Sequence, residues 1–151
     1  MSDVTDDVGA AEVAKCSARA QAGSLYTAVV DLVRLELADD PTVDITTTGR
    51  QTGLPRRIEI WMLDVDGRFF ITGTPGRRDW LANLLAHPSF VVHLKRRAHV
   101  DLPARATPLE DAAARRTVLE HLNASWYRTQ EPLGVLLDSA PLVEVTFDQD
   151  S

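Results

Sequence analysis

The sequence predicts a mainly β domain with helices packed on it, an α+β fold built as a small, partly open six-stranded barrel. Six short stretches carry the β-branched or alternating pattern of strands. The early stretches are joined by tight glycine turns, which fits poorly with a doubly wound parallel sheet. One amphipathic helix precedes them, and further helices are inserted among the later ones.

Residues 1–22 are acidic, small and polar, and read as a flexible arm before a single domain over 23–151. From Leu25, the residues Tyr26, Val29, Val30, Val33 and Leu37 recur at helical spacing, and Asp39-Asp40-Pro41 ends that helix. Val43 to Thr48 is strand-like, and Gly49 and Gly53 give the chain two places to take φ > 0 and reverse. The next strand runs from about Arg56 to Asp64. It sets Ile58, Ile60 and Met62 on one face and Arg57, Glu59, Trp61 and Leu63 on the other, so both faces are expected to be covered. Glu59 needs a partner there, and a neighbouring arginine is the expected one.

Asp66-Gly67 predicts a two-residue hairpin into a strand over Arg68 to Thr74. A turn at Pro75 to Arg78 leads into a helix from Asp79, with Trp80, Leu81, Leu84 and Leu85 on one face and Asp79 as a possible cap. Two more strands follow, Ser89 to Lys95 and Ala98 to Thr107, joined by Lys95-Arg96-Arg97, read as a solvated basic turn. Thr107-Pro108-Leu109-Glu110 has the form of a capping box and predicts a helix to about Leu122. A short helix over Pro132 to Leu137 and a last strand over Leu142 to Phe147 complete the chain.

A net charge of −6 argues against nonspecific nucleic-acid binding. The charge is uneven: residues 1–40 hold eight Asp/Glu against three Lys/Arg, whereas residues 50–97 hold nine Lys/Arg against four Asp/Glu. A basic middle in an acidic chain points to a local anion site. No apolar run approaches the roughly 20 residues needed to span a bilayer, so no transmembrane segment and a cytoplasmic setting are expected. The single cysteine, Cys16, excludes an intrachain disulfide. His93 and His99 have no partners at ligand spacing, so no metal site is expected.

The segment Ile45 to Ile58, with Thr46-Thr47-Thr48-Gly49-Arg50 and Thr52-Gly53-Leu54-Pro55-Arg56, resembles the deazaflavin-dependent nitroreductase family, which includes quinone reductases. So do Asp79-Trp80-Leu81-Ala82-Asn83-Leu84-Leu85-Ala86-His87-Pro88 and Pro141 to Phe147, in the same order. The resemblance implies a split β-barrel of the FMN-binding kind that holds coenzyme F420 and passes a hydride to a small planar acceptor, a quinone or nitroaromatic. It implies that Arg50, Thr52, Gly53 and Arg56 hold the phosphate and acidic tail, with Arg77 and Arg78 assisting. Thr72, Thr74 and Trp80 are then expected to line the ring. Trp126 and Tyr127 are expected to wall the acceptor site as the catalytic residues, with Tyr127 able to donate a proton or hydrogen bond. The chain departs from many relatives at Gln51, Glu59 and Pro75. Related split barrels hold FMN or haem, and a noncatalytic module that binds a cofactor or lipid is a further alternative. The resemblance leaves monomer and homodimer both open.

The residues also fit a redox enzyme independently: no nucleophile motif, P-loop or Rossmann fingerprint is present, and in redox catalysis the cofactor carries the hard chemistry.

Overall fold

A computed structural model describes residues 26–76 and 78–148; the predicted arm and Arg77 lie outside the described residues. Helix α1 occupies 26–39. It is followed by β1 (Thr42–Thr48), β2 (Pro55–Val65), β3 (Arg68–Thr72), α2 (Asp79–Ala86), β4 (Ser89–Leu94), β5 (Val100–Pro108), α3 (Ala112–Leu119), a single 3-10 turn (Leu122–Ala124), α4 (Ser125–Arg128), α5 (Leu133–Ser139) and β6 (Leu142–Phe147). The strands close into an antiparallel barrel in the order β1-β2-β3-β6-β5-β4.

The barrel closes unevenly. β2 pairs with β1 from Pro55 to Trp61 but with β3 only from Trp61 to Val65. Among the described residues, the half of β2 from Pro55 to Ile60 therefore has a strand neighbour on one edge alone. The Met62 N–H donates to the Pro41 carbonyl on the β1 side at 2.7 Å. Backbone groups alternate sides along a strand, so those of Arg57 and Glu59 face the open edge.

The barrel interior holds Val43, Ile45, Ile60, Met62, Phe69, Ile71, Val92, Val143, Val145 and Phe147, with Val33 of α1 and Trp80 and Leu84 of α2 packed in. The outer faces of β2 and β3 bury a second cluster, Leu63, Val65 and Phe70, under Val118, Leu119, Tyr127 and Leu136 of the later helices. Both faces of β2 are covered in its second half, from Ile60 to Val65, whereas Arg57 and Glu59 of the first half are exposed. Leu85 is the exception on α2: it is exposed, because the helix beds its Trp80–Leu84 side on the barrel.

Local chemistry departs from the sequence pattern at several points. Gly53 has φ 71°, but Gly49 does not sit at positive φ. Gly49 is required for closeness instead, since a Cβ there would stand 2.6 Å from Thr52 Oγ1. Thr107-Pro108 continues β5 rather than opening a helix, because pairing with Glu144 and Val143 of β6 wins the backbone; Asp111 caps α3 by accepting from the Ala114 N–H at 2.9 Å. β3 stops at Thr72, and β5 begins at Val100.

The basic turn at Lys95 to Arg97 is not simply solvated. Glu36 of α1 is fully buried, and its carboxylate accepts the backbone N–H groups of Lys95, Arg96, Arg97 and Ala98 at 2.7–3.3 Å. Burial pushes this carboxyl up, but those backbone donors outweigh it and hold the group below its ordinary range. The turn's side chains are also paired: Lys95 with Asp44 and Glu59, Arg96 with Asp40, and Arg97 with Asp39. The partner of Glu59 is thus a lysine and not an arginine.

Candidate active site

The β1–β2 turn is built by short-range bonds. The Gly49 N–H donates to the Leu54 carbonyl and the Gly53 N–H to the Gly49 carbonyl, each at 2.8 Å. Thr52 Oγ1 accepts the Leu54 N–H at 3.1 Å. Asn83 then fastens the turn to α2. Its Oδ1 accepts both the backbone N–H and Nη1 of Arg50 at 3.1 Å, and its Nδ2 donates to Thr47 Oγ1 at 3.3 Å. Asn83 stands inside the family-like segment, yet residue type alone gave it no role; its burial is the missing signal.

Arg50, Thr52 and Arg56 converge on a pocket of about 130 Å³ that Asn83 and Asp79 also line. Among the described residues the backbone N–H groups of Gln51 and Thr52 meet no acceptor, and the Arg56 side chain makes no hydrogen bond or ion pair. Asp79 does not cap its helix: Arg78 holds the cap position without a side-chain bond, and Asp79 turns outward to within 3.4 Å of Arg50 Nη2. The start of α2 keeps its first N–H groups open toward this side. Arg78 donates to the Thr74 and Pro75 carbonyls at 2.8 and 2.9 Å, so its charge has no carboxylate opposite it among the described residues.

A second cleft, of about 360 Å³, opens where β2 lacks its strand neighbour. Ile58, Ile60, Trp61, Gly73, Thr74 and Trp80 line it, with Glu59 and Arg78 at its sides. A shallow groove of about 400 Å³ lined by Arg50, Arg78, Asp79 and Leu85 joins the two. Arg78 borders both the cleft and the groove, and Arg50 and Asp79 border both the groove and the turn pocket. The result is one track from an aromatic-floored cleft to a cationic turn.

The predicted ring and acceptor residues divide. Thr74 and Trp80 line the cleft, Trp80 serving also as core. Thr72 does not: it is fully buried, with its Oγ1 2.8 Å from the Pro141 carbonyl oxygen and 3.2 Å from Tyr127 Oη. Tyr127 is buried as well, and its hydroxyl donates to the Gly73 carbonyl. Burial raises its pKa, and the Thr72 contact offsets this only in part, so the phenol stays neutral near pH 7. Trp126 is half-buried and meets Trp61 edge-on, ring centroids 4.9 Å apart. Trp61, which the sequence placed only as a covered strand residue, is the member of this aromatic group that lines the cleft.

Residues 19–135 match the profile of the F420H(2)-dependent quinone reductase family. The chain belongs to that family. It is accordingly an oxidoreductase that uses coenzyme F420. The barrel is also similar to solved structures of low sequence identity, which bear on the fold alone. A protein related to general stress protein 26 of B. subtilis (pyridoxinephosphate oxidase family), from Clostridium acetobutylicum, is 17% identical with TM-score 0.61, covering 78% of this chain and 82% of that one. A NimC/NimA family protein from the same organism is 11% identical with TM-score 0.59, covering 82% and 83%. Campylobacter jejuni ChuZ is 11% identical with TM-score 0.59, covering 82% of this chain and 54% of its own. No described helix is long and apolar enough to cross a membrane.

The donors present fit an anionic, ring-bearing cofactor. Two guanidinium groups have no carboxylate partner among the described residues: Arg78 at the side of the ring-sized cleft, and Arg56 in the turn pocket beside the two open turn N–H groups.

Proposed function

We propose that this F420-dependent oxidoreductase passes a hydride to a small planar acceptor of the quinone or nitroaromatic type. The observation that carries the reading is the shared lining that runs from the cleft beside Trp61, which Arg78 borders, past Arg50 and Asp79 to the turn pocket at Arg56. Reduced F420, when bound, supplies the hydride. Arg50, Arg56 and Arg78, with Thr52 and the turn held by Gly53, bind the phosphate and acidic tail. Trp80, Gly73 and Thr74 floor the ring site, and the open backbone edge at Arg57 and Glu59 offers hydrogen-bond donors and acceptors to the ring's polar rim. Thr72 and Tyr127 act from below by fixing the Gly73 carbonyl. Trp61 and Trp126 wall the acceptor side and keep water from the reacting face, which strengthens the electrostatics there.

Fluorescence titration with oxidised F420, with FMN in parallel, followed by oxidation of F420H2 with menadione or a nitroaromatic, tests this reading. Saturable micromolar binding of F420 and acceptor-dependent oxidation are expected. Binding without oxidation by any quinone or nitroaromatic overturns the acceptor class.

A further inference from the structure

Arg115 of α3 is half-buried and faces main chain rather than a carboxylate among the described residues. Its guanidinium donates to four carbonyls: Leu109 at 3.1 Å, Leu136 at 3.2 Å, Leu137 at 3.3 Å and Ala140 at 2.7 Å. Leu136 and Leu137 lie in the last turn of α5, where carbonyls run out of helical donors, and Ala140 follows that helix. A planar group with five fixed donors suits such a cluster.

The same link from α5 to β6 carries the floor of the ring cleft. The Ser139 carbonyl accepts the Gly76 N–H at 3.3 Å, and the Pro141 carbonyl accepts from Thr72 Oγ1 at 2.8 Å. Thr72 and Gly76 bracket Gly73 and Thr74, which line the cleft. The Tyr127 hydroxyl adds a third tie, to the Gly73 carbonyl. Burial raises the Tyr127 pKa, and the Arg115 charge is among the groups that oppose the rise, so the guanidinium lies within electrostatic reach of this floor. The β1–β2 turn is fastened differently, by Asn83 of α2.

We propose that Arg115 is a positioning residue for hydride transfer: by clamping the α5–β6 link it sets where Gly73 and Thr74 stand against the cofactor ring. The inference rests on the ring site proposed above and deepens it. Arg115 does not line the ring cleft, so it acts through the link. Hydride transfer is sensitive to such placement, since a shift of about 1 Å costs on the order of a hundredfold in rate. A lysine keeps the charge but offers its donors from one point, and so does not span carbonyls from Leu109 to Ala140.

The test is Arg115→Lys in the full chain, read first without cofactor. Hydrogen exchange over residues 72–76 is expected to quicken, while exchange over 49–54 stays as in the unaltered protein. With F420H2 and menadione, kcat is expected to fall on the order of tenfold or more. The F420 dissociation constant is expected to stay within about threefold, because the tail pocket is fastened separately. Thr72→Val cuts the same link at its other end and is expected to give the same split, with the double variant little worse than the poorer single one. A clamp that only stabilises the fold lowers the unfolding midpoint and leaves exchange over 72–76 and kcat unchanged wherever the variant is folded; that result overturns the proposal. Should Arg115→Lys not fold, Thr72→Val decides, and unchanged exchange and kcat in that variant overturn it as well. If no quinone or nitroaromatic oxidises F420H2, the acceptor reading has failed, and the cofactor-free exchange still decides the clamp. F420 that protects 49–54 from exchange but not 72–76 removes the ring from this floor, and the inference falls with that site.

Discussion

Asn83 Oδ1 stands 3.1 Å from both the backbone nitrogen and Nη1 of Arg50, so one buried amide couples the β1–β2 turn to α2. Asn83 thus holds the two walls of the pocket in register from the buried side, and the exposed Arg50–Asp79 pair spans them from the solvent side. Asn83→Leu removes three hydrogen bonds and leaves Thr47 without that donor. Folding stability is expected to fall by about 1–3 kcal/mol, the cost of buried polar groups left unmatched. F420 affinity is expected to fall with it; denaturant unfolding and a titration check the two, and an unchanged affinity would separate the turn from the cofactor.

The Arg56 guanidinium lines the turn pocket with no partner among the described residues. Arg56→Ala is expected to weaken F420 binding by about 1.5–3 kcal/mol, the range for hydrogen bonds to charged groups, with the loss shrinking at high salt. Stability should stay within about 0.5 kcal/mol, as for exposed positions free of special features. Titrations at two ionic strengths read both effects. Equal affinity at low salt would take Arg56 out of the tail site.

Glu36 predicts an acid limit to stability. Its carboxyl is held below its ordinary range in the fold, so the unfolded chain takes up that proton more readily than the folded one. Its contribution is therefore complete above the unfolded value and is lost as pH falls through the folded value. Glu36→Gln is expected to cost about 1.5–3 kcal/mol near neutrality, since an amide cannot accept the turn's N–H groups as a carboxylate does. The gap between the two proteins should narrow in acid. Unfolding curves from pH 7 to pH 3 test this, and a gap that widens in acid would refute it.

Tyr127→Phe leaves the Gly73 carbonyl without its buried donor. A loss of about 1–3 kcal/mol in stability is expected, together with slower turnover as the floor of the ring site loosens. Turnover that falls with stability unchanged would favour a direct part for the hydroxyl in proton delivery.

The strands, the hairpin at Asp66-Gly67 and the amphipathic face of α1 were legible in the sequence because each rests on local periodicity or turn chemistry. Glu36 was not, because its meaning depends on a turn sixty residues away folding around it. The Thr107-Pro108 motif misled for the same reason, its backbone being claimed by β6 across the barrel. At the candidate site, Arg50, Arg56 and Trp80 stand in the family-like segments and line its pockets, whereas Asn83 and Trp61 stand out only through burial and neighbours. Thr72 and Tyr127 show the converse: neither lines the cleft, and their hydroxyls meet each other and the Pro141 and Gly73 carbonyls beneath its floor.

Half of β2 presents to the cleft an edge that no described strand pairs, and such an edge can recruit a strand from another chain. Pro55 at its start and the charges of Arg56, Arg57 and Glu59 along it discourage that pairing. A ring seated in the cleft would cover it outright. Occupancy is then expected to bear on more than catalysis: added F420 should slow aggregation of the purified protein, which light scattering with and without the cofactor checks.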